Sequence, residues 1–416
     1  MDKNNCGKPQ FGGAASDSSA NRVKLTDVVW FQEGPGVRNY QYTSHGVKLL
    51  NVANLHEGKL DTSNTSRYIS DEEAYGRYKH FLVDEGDLIV ASSGIKVEYF
   101  DQKMGFADKT QLPLCMNTST IRFKARSPHE LDINYFMCYL KSDDFKHQLE
   151  RQITGSAQLN FGPSHLKRMS MPLPPLAHQL EVAERIAYID KQIDDARTVL
   201  SGLDNLVKSR FNEMFEGVAA ERQSLPSIVW FQEGPGVRNH QYASHGVKLL
   251  NVANLRDGKL DTSNTDRYIS ETEAFGRYRH FIVDAGDLII ASSGIKVEYF
   301  EQKMGFANKD QLPLCMNTST IRFKPIDPSV IDMQYFMYYL KSDDFKRQLE
   351  RNITGSAQLN FGPSHLKRMT VPVPSIMVQK QFSQFVRQVD KLRFDVQQQI
   401  DKLELFKNSL MQEYFG

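Results

Sequence analysis

The chain is written twice. The run VWFQEGPGVRN at 29–39 returns letter for letter at 229–239, and the register that pairs Trp30 with Trp230 holds without a gap to Met169 and Met369. Roughly four in five positions agree across it, so whatever fold one copy adopts the other must adopt as well. The stretches behind the two copies do not agree: 176–217 and 376–416 share a pattern but few residues. The order along the 416 residues is therefore domain, helix, domain, helix, which suits the two or three domains expected of this length.

The pattern behind each copy is a heptad. In 176–217, Ile186, Ile193, Leu200, Val207 and Met214 recur every seven residues, with Ile189, Ala196 and Leu203 three after the first three. In the last stretch Val389, Val396, Leu403 and Leu410 keep the same spacing, with Val386, Leu392, Ile400 and Phe406 close to the same face. An apolar seam sustained for about four heptads argues for a coiled coil rather than an ordinary amphipathic helix. Roughly 40 helical residues give a rod of about 60 Å, and a rod with one apolar seam needs a partner. The two stretches are expected to pair antiparallel, burying Ile186, Ile193, Leu200, Leu203, Val207, Val389, Val396, Leu403 and Leu410 between them.

Inside a copy the pattern is mixed. Short runs at 28–31, 47–51, 87–91 and 120–123 read as strands, between turns at 33–36, 57–59, 85–87 and 92–94. The stretch 132–150 reads as one helix with Tyr135, Phe136, Tyr139 and Leu140 on its apolar face, 154–158 as a loop and 164–168 as a short helical turn. The fold class is α+β: two repeated, strand-rich domains of about 150 residues separated by an antiparallel pair of long coiled-coil helices. The heptads and the Pro-rich stop MPLPP set the expected boundaries: a polar, flexible segment 1–25, a first domain 26–175, a central helix 176–217, a second domain 218–375 and a last helix 376–416.

Lys plus Arg number 51 against 50 Asp plus Glu, whereas a protein that grips nucleic acid unaided carries a basic excess. If this one binds DNA, its cations are concentrated on one side or a partner contributes. Of the cysteines, Cys6, Cys115, Cys138 and Cys315, no two form a C-x-x-C pair, and Cys115 and Cys315 are equivalent positions in the repeat. That argues against a disulfide framework or a zinc site and for a reducing, cytoplasmic setting. No apolar run approaches a membrane span, and the first residues lack a signal-peptide core.

Four features together resemble the specificity subunit of Type I restriction–modification systems. They are LNVANL at 50–55 followed by GKLD at 58–61; GDLI at 86–89 running into SSG at 92–94; TGSAQLN at 154–160 with LKR at 166–168 and the Pro-rich stop; and the heptad helix behind each copy. The resemblance covers nearly the whole chain beyond residue 25. It implies two target-recognition domains held apart by the helix pair, each reading one half of a bipartite site on double-stranded DNA. It implies that the helices dock modification subunits, expected to be two, which methylate adenine N6 with S-adenosylmethionine. Restriction subunits using ATP and Mg would join that assembly, and this chain itself would hold no cofactor and no metal. In one respect the chain departs from the family: recognition domains within one subunit generally differ, and these are nearly the same.

The residues agree with a non-catalytic part. LPPL at 173–176 lacks the polar residue before and the aromatic after two prolines that adenine methyltransferases use, and reads as a helix stop. FQEGPG at 31–36 has Pro between its glycines and no helix pattern behind it, both of which tell against a cofactor loop. No G-x-x-x-x-G-K-[ST] occurs. Asp144 and Lys146 have a nuclease-like spacing but fall on a predicted helix, where charges ordinarily face solvent.

Candidate DNA contacts lie in loops. Arg38, Asn39, Tyr40, Gln41 and Tyr42 follow a tight Gly-Pro-Gly turn, and Arg reads guanine and Asn or Gln adenine through paired hydrogen bonds; the same loop would serve equally as a plain cap on a strand. Ser92, Ser93 and Lys96 offer hydroxyls and an ammonium to a phosphate, or form an ordinary hairpin turn. Asn117, Thr118, Ser156, Gln158, Asn160 and Lys167 complete the set, with His165 assigned to structure and Asn51 and Asn54 to backbone at a strand end. The second copy repeats it as Arg238, Asn239, His240, Gln241, Tyr242, Ser292, Ser293, Lys296, Asn317, Thr318, Ser356, Gln358, Asn360 and Lys367. Tyr40 against His240 is the substitution inside the reading loop. Glu85, Asp108, His147 and Glu130, which become Ala285, Asn308, Arg347 and Val330, each lose negative charge or gain positive. Two readings stand: a DNA-specificity subunit, favoured by the loops, and a repeat scaffold binding protein partners without DNA, favoured by the near-zero net charge.

Overall fold

A computed structural model describes residues 21–153, 158–217, 220–263, 265–352 and 359–416. They form two compact units, one of residues up to Thr198 with Gln397–Gly416, the other Val199–Val396. Residues 1–20 of the segment expected to be flexible lie outside the described residues, but its end is corrected by the fold. Arg22–Lys24 is a strand antiparallel to Ser170–Pro172, and Arg22 donates to Asp144 at 2.7 Å and to the Ser170 carbonyl at 2.9 Å. Arg222–Ser224 closes the second domain against Thr370–Pro372 in the same way.

In the first unit the main sheet has the order Val29–Glu33, Thr120–Ala125, Leu88–Ala91, Met104–Phe106, antiparallel throughout. Side chains alternate across Thr120–Ala125. Phe123 packs on Phe136 of the helix Ile133–Lys141 with ring centroids 5.3 Å apart, while Arg122 lies on the other face over the Trp30 ring. A second, smaller sheet sets Val47–Leu49 between Tyr68–Ile69 and Leu114–Cys115. Its own core holds Val37, Val47, Leu49, Ile69, Ala74, Tyr78 and Cys115. The helix expected over 132–150 is two helices, Ile133–Lys141 and Asp143–Glu150, because Ser142 adopts extended backbone and its hydroxyl caps Phe145 N. The second unit repeats each of these elements and adds a ladder of Ser293–Ile295 with Leu359–Asn360.

The two long helices are Leu176–Phe215 and Ile376–Phe415. Within the first unit rising numbers on one meet falling numbers on the other. Arg185 donates to Tyr414 at 3.1 Å, Lys407 pairs with Asp190 at 2.5 Å, and Arg197 with Glu404 at 2.9 Å. Phe415 then inserts against Tyr135 and Tyr139 of the first domain, centroids 5.2 and 5.9 Å away. Within the second unit Arg393 meets Asp204 at 2.6 Å, and Phe211 packs on Phe382, Tyr335 and Tyr338. The pairing is antiparallel in each.

The seam is less continuous than its heptads predict. Ile186, Ile189, Ile193, Ala196, Val207, Val389, Ile400 and Leu410 are buried, but Leu200, Leu203, Val396 and Leu403 are only half-buried, and Leu392 and Phe406 are exposed. A two-helix seam leaves its residues open to solvent on either side wherever no domain covers them. Val207→Asp, which places a carboxylate at a position with no exposure, is expected to cost about 4 kcal/mol or more, and Leu200→Asp less than half as much. Urea denaturation of the two variants tests that order.

Candidate nucleic-acid interface

The small sheet presents the first set of candidates. Gln41 is buried: its amide nitrogen donates to Glu73 at 2.7 Å and to the Tyr78 hydroxyl at 3.0 Å, and its oxygen accepts from Arg38 N at 3.0 Å. Gln41 is thus corrected from a base reader to the clamp that shapes the loop, and Gln241 makes the same three contacts. The clamp leaves Arg38, Asn39 and Tyr40 outside, Tyr40 84% exposed, and likewise Arg238, Asn239 and His240. Tyr42 and Tyr242 are half-buried under a guanidinium, that of Arg67 or Arg267, each 5.5 Å from the ring centroid.

The same surface carries residues that sequence reading missed. Arg77 lies 5.4 Å over the Tyr78 ring, with Tyr75 and Lys79 exposed beside it; the second unit offers Arg277, Phe275 and Arg279. No local pattern links Arg67 or Arg77 to the 38–42 loop. Only the shared core brings them together, although their retention in both copies was visible. Arg38, Arg67, Arg77 and Lys79 are exposed around this small core, with Asp71 and Glu72 on the helix beside them. Burial pushes the Cys115 thiol beneath this surface, and its equivalent Cys315, up to about 12, so neither is a nucleophile at neutral pH.

The second set gathers at one end of the main sheet. Gly34 N donates to the Thr120 carbonyl at 2.9 Å, and a Cβ at Gly34 would stand 2.0 Å from the Asn117 carbonyl oxygen, so the position admits no side chain. Asn117 is buried and accepts from Thr118 N at 2.8 Å and Val37 N at 3.3 Å. Ser92 is buried as well, its N donating to Ser119 O and its O accepting from Phe161 N, both at 2.8 Å. Asn117, Ser92 and their equivalents Asn317 and Ser292 are therefore corrected from DNA contacts to loop supports. Ser93 is half-buried against Ser119, with 2.6 Å between hydroxyls, and Ser293 meets Ser319 alike.

What this junction exposes is a smaller group: Thr118, Lys96, Gln158, Asn160 and Lys167, and in the second unit Thr318, Lys296, Asn360 and Lys367. Lys96 lies 3.6 Å from Glu98, and Asn160 accepts from Gly94 N at 3.0 Å, which fixes the turn. His165 accepts from Gly162 N at 3.1 Å, a structural role. Ser156, Ser356 and Gln358 lie outside the described residues.

Arg122 holds the two sets in register. From the main sheet it donates to the carbonyls of His80 at 2.8 Å and Leu82 at 2.6 Å, in the segment directly after Arg77 and Lys79. Nearby, the hydrogen bond from Lys124 holds the Asp84 carboxyl below its usual range.

A duplicated mixed domain with exposed Arg and aromatic loops, each followed by a long helix, is what the family model for the Type I restriction modification DNA specificity domain matches, over residues 23–201 and 250–405. The chain belongs to this family. Among specificity subunits of Type I restriction enzymes, it is 21% identical to MjaVIII of Methanocaldococcus jannaschii over 355 residues, covering 80% of this chain and 79% of that one. It is 19% identical to StySPI of Salmonella potsdam over 430 residues, covering 98% and 88%. In fold it is similar to the crystal structure of the Type I restriction–modification S subunit from M. genitalium, with TM-score 0.51, 14% identity and 95% and 96% of the chains covered. A chain from a structural study of complex assembly and conformational transition of the type I system gives TM-score 0.58 at 14% identity, covering 95% and 97%. The match takes in most of the first domain, the later part of the second and most of each long helix, leaving 202–249 outside it, while the candidate contacts rest on this chain's own geometry. Among the described residues no helix is long and apolar enough to cross a membrane.

Proposed function

We propose that the chain is the DNA sequence-specificity subunit of a Type I restriction–modification complex, non-catalytic by itself, with each domain reading one half of a bipartite site. The observation that carries this reading is the duplicated loop surface: Arg38, Asn39, Tyr40, Arg67, Arg77 and Lys79 exposed on one small rigid core, and their counterparts on the other. Arg and Asn supply base-edge hydrogen bonds, and Lys96 and Lys167 supply phosphate contacts. Exposed guanidinium and amide groups on these loops favour DNA over the scaffold that the near-zero net charge suggested.

The long helices leave large apolar side chains open to solvent in each unit. Val199, Leu206, Leu392, Phe394, Leu405 and Phe406 are about half or more exposed, an unusual run of large apolar side chains for helices in water. They support docking of modification subunits, two by the repeat, which bring S-adenosylmethionine, and through them restriction subunits with ATP and Mg. The purified chain alone is expected to show neither methylation nor cleavage of DNA with those cofactors present. Co-expression with its modification subunit should restore adenine methylation at one defined motif, read by sequencing methylated bases with and without this chain. Turnover by the homogeneous polypeptide, or a motif unchanged by its deletion, would sink the reading.

A further inference from the structure

Arg67 belongs to none of the motifs that carry the family resemblance, yet the fold places its exposed guanidinium on the 38–42 loop. Its main chain is pinned, with its carbonyl accepting from Leu49 N of the small sheet at 2.9 Å. Its guanidinium lies over the Tyr42 ring, 5.5 Å from the centroid, and Nη1 reaches Asn51 Oδ1 at 3.5 Å, the outer limit of a hydrogen bond. Tyr42 is itself fixed, because its N donates to the Asn39 carbonyl at 3.2 Å behind the buried Gln41 clamp. Arg67 is exposed, and among the described residues no carboxylate pairs with it. The second unit repeats the platform: Arg267 stands 5.5 Å over Tyr242, and its carbonyl accepts from Leu249 N at 2.9 Å.

A guanidinium held over an aromatic face is restrained in place while its edge donors stay free. A restrained pair of donors suits bidentate bonding to guanine N7 and O6. The same fork can also pair with a phosphate, and the two roles part in what its loss removes, sequence preference for a base edge but only affinity for a phosphate. Resting on the reading of this surface as a DNA interface, we propose that Arg67 and Arg267 each read one guanine in the major groove, with Tyr42 and Tyr242 as their positioning residues. One G·C pair then stands at equivalent places in both half-sites.

The test uses the full chain with its modification subunits and a library of randomised duplex DNA, methylation being read base by base. Arg67→Ala should relax one base pair in one half-site, with discrimination there falling roughly ten- to hundredfold, while the other half-site stays as in the wild type. Arg67→Lys, which keeps the charge and the fold, should relax the same base pair. Tyr42→Leu should relax it less, with no new preference elsewhere. A uniform loss of affinity with a shallower salt dependence in Arg67→Ala would assign the residue to phosphate and overturn the proposal, as would an unchanged motif in Arg67→Lys. A wild-type complex that selects no sequence would instead remove the proposed function beneath it.

Discussion

Replacing Arg122 with alanine is expected to destabilise the first domain by about 3–5 kcal/mol, the usual cost of removing one partner from a buried charge pair. The Arg122 side chain is 8% exposed and that of Asp87 2%, with 3.2 Å between them. Around the pair, Nε and Nη2 of Arg122 donate to Gln32 Oε1 at 3.1 and 2.8 Å, and the carbonyls of His80 and Leu82 take the remaining donors. Truncation leaves the buried Asp87 with only the half-exposed Lys124, 3.0 Å away, and Asp84 N as partners, and leaves two carbonyls of the small sheet's border without their donor. Removing Asp87 as well, in Asp87→Ala/Arg122→Ala, should cost less than the sum of the single changes. The repeat supplies an internal comparison. In the second domain Arg322 meets Asp287 at 3.3 Å, but its Nε has no partner, so Arg322→Ala should cost less than Arg122→Ala. Calorimetry or urea denaturation of both variants checks the order, and an Arg122→Ala within about 1 kcal/mol of wild type would show that the network is not what holds the sheets together.

Arg122 also marks where sequence reading stopped. Long-period identity and heptads were legible because repetition and helical spacing are properties of the chain order alone, and they established the class and the two long helices. The strands around 29–33, 88–91 and 120–125 were legible because β-branched runs between glycine turns report local preference. The break at Ser142 was written in the sequence as Ser followed by Asp143 and Asp144, a helix start, but the apolar face on either side ran through it. Site assignments fared worse for a single physical reason: Gln41, Ser92 and Asn117 are polar residues in loops, and composition does not say which side of a loop faces a core. Their partners, Glu73, Tyr78, Ser119 and Val37, come from distant segments. Arg67 and Arg77 escaped notice for the converse reason, since the fold alone carries them to the loop surface.

The DNA site itself is expected to be an interrupted palindrome. Of the candidate contacts on the two reading surfaces only Tyr40/His240, Tyr75/Phe275 and Lys79/Arg279 differ, with Ser66/Asp266 and Glu72/Thr272 changing beside them, so both should prefer closely similar short sequences. Each domain leads into the start of its own long helix, and inside each unit the helices pair antiparallel, as Asp190 with Lys407 and Asp204 with Arg393 show. The same loops delivered from the starts of antiparallel helices call for half-sites of opposite sense, and duplex DNA has dyads that meet this demand. Helices of 40 residues extend about 60 Å, which at about 3.4 Å per base pair keeps the whole site under roughly 20 base pairs. Adenine methylation should then fall on both strands at symmetry-related positions, and Tyr40 against His240 is the place where one base of the symmetry would blur. Turning one half-site round, to make a direct repeat with the same spacer, puts about three or more base pairs out of register with their readers. At about 1–3 kcal/mol each, methylation of that duplex should drop at least about a hundredfold. Equal methylation of direct and inverted repeats, or a native motif with two unrelated halves, would show that the repeated loops do not read inverted half-sites.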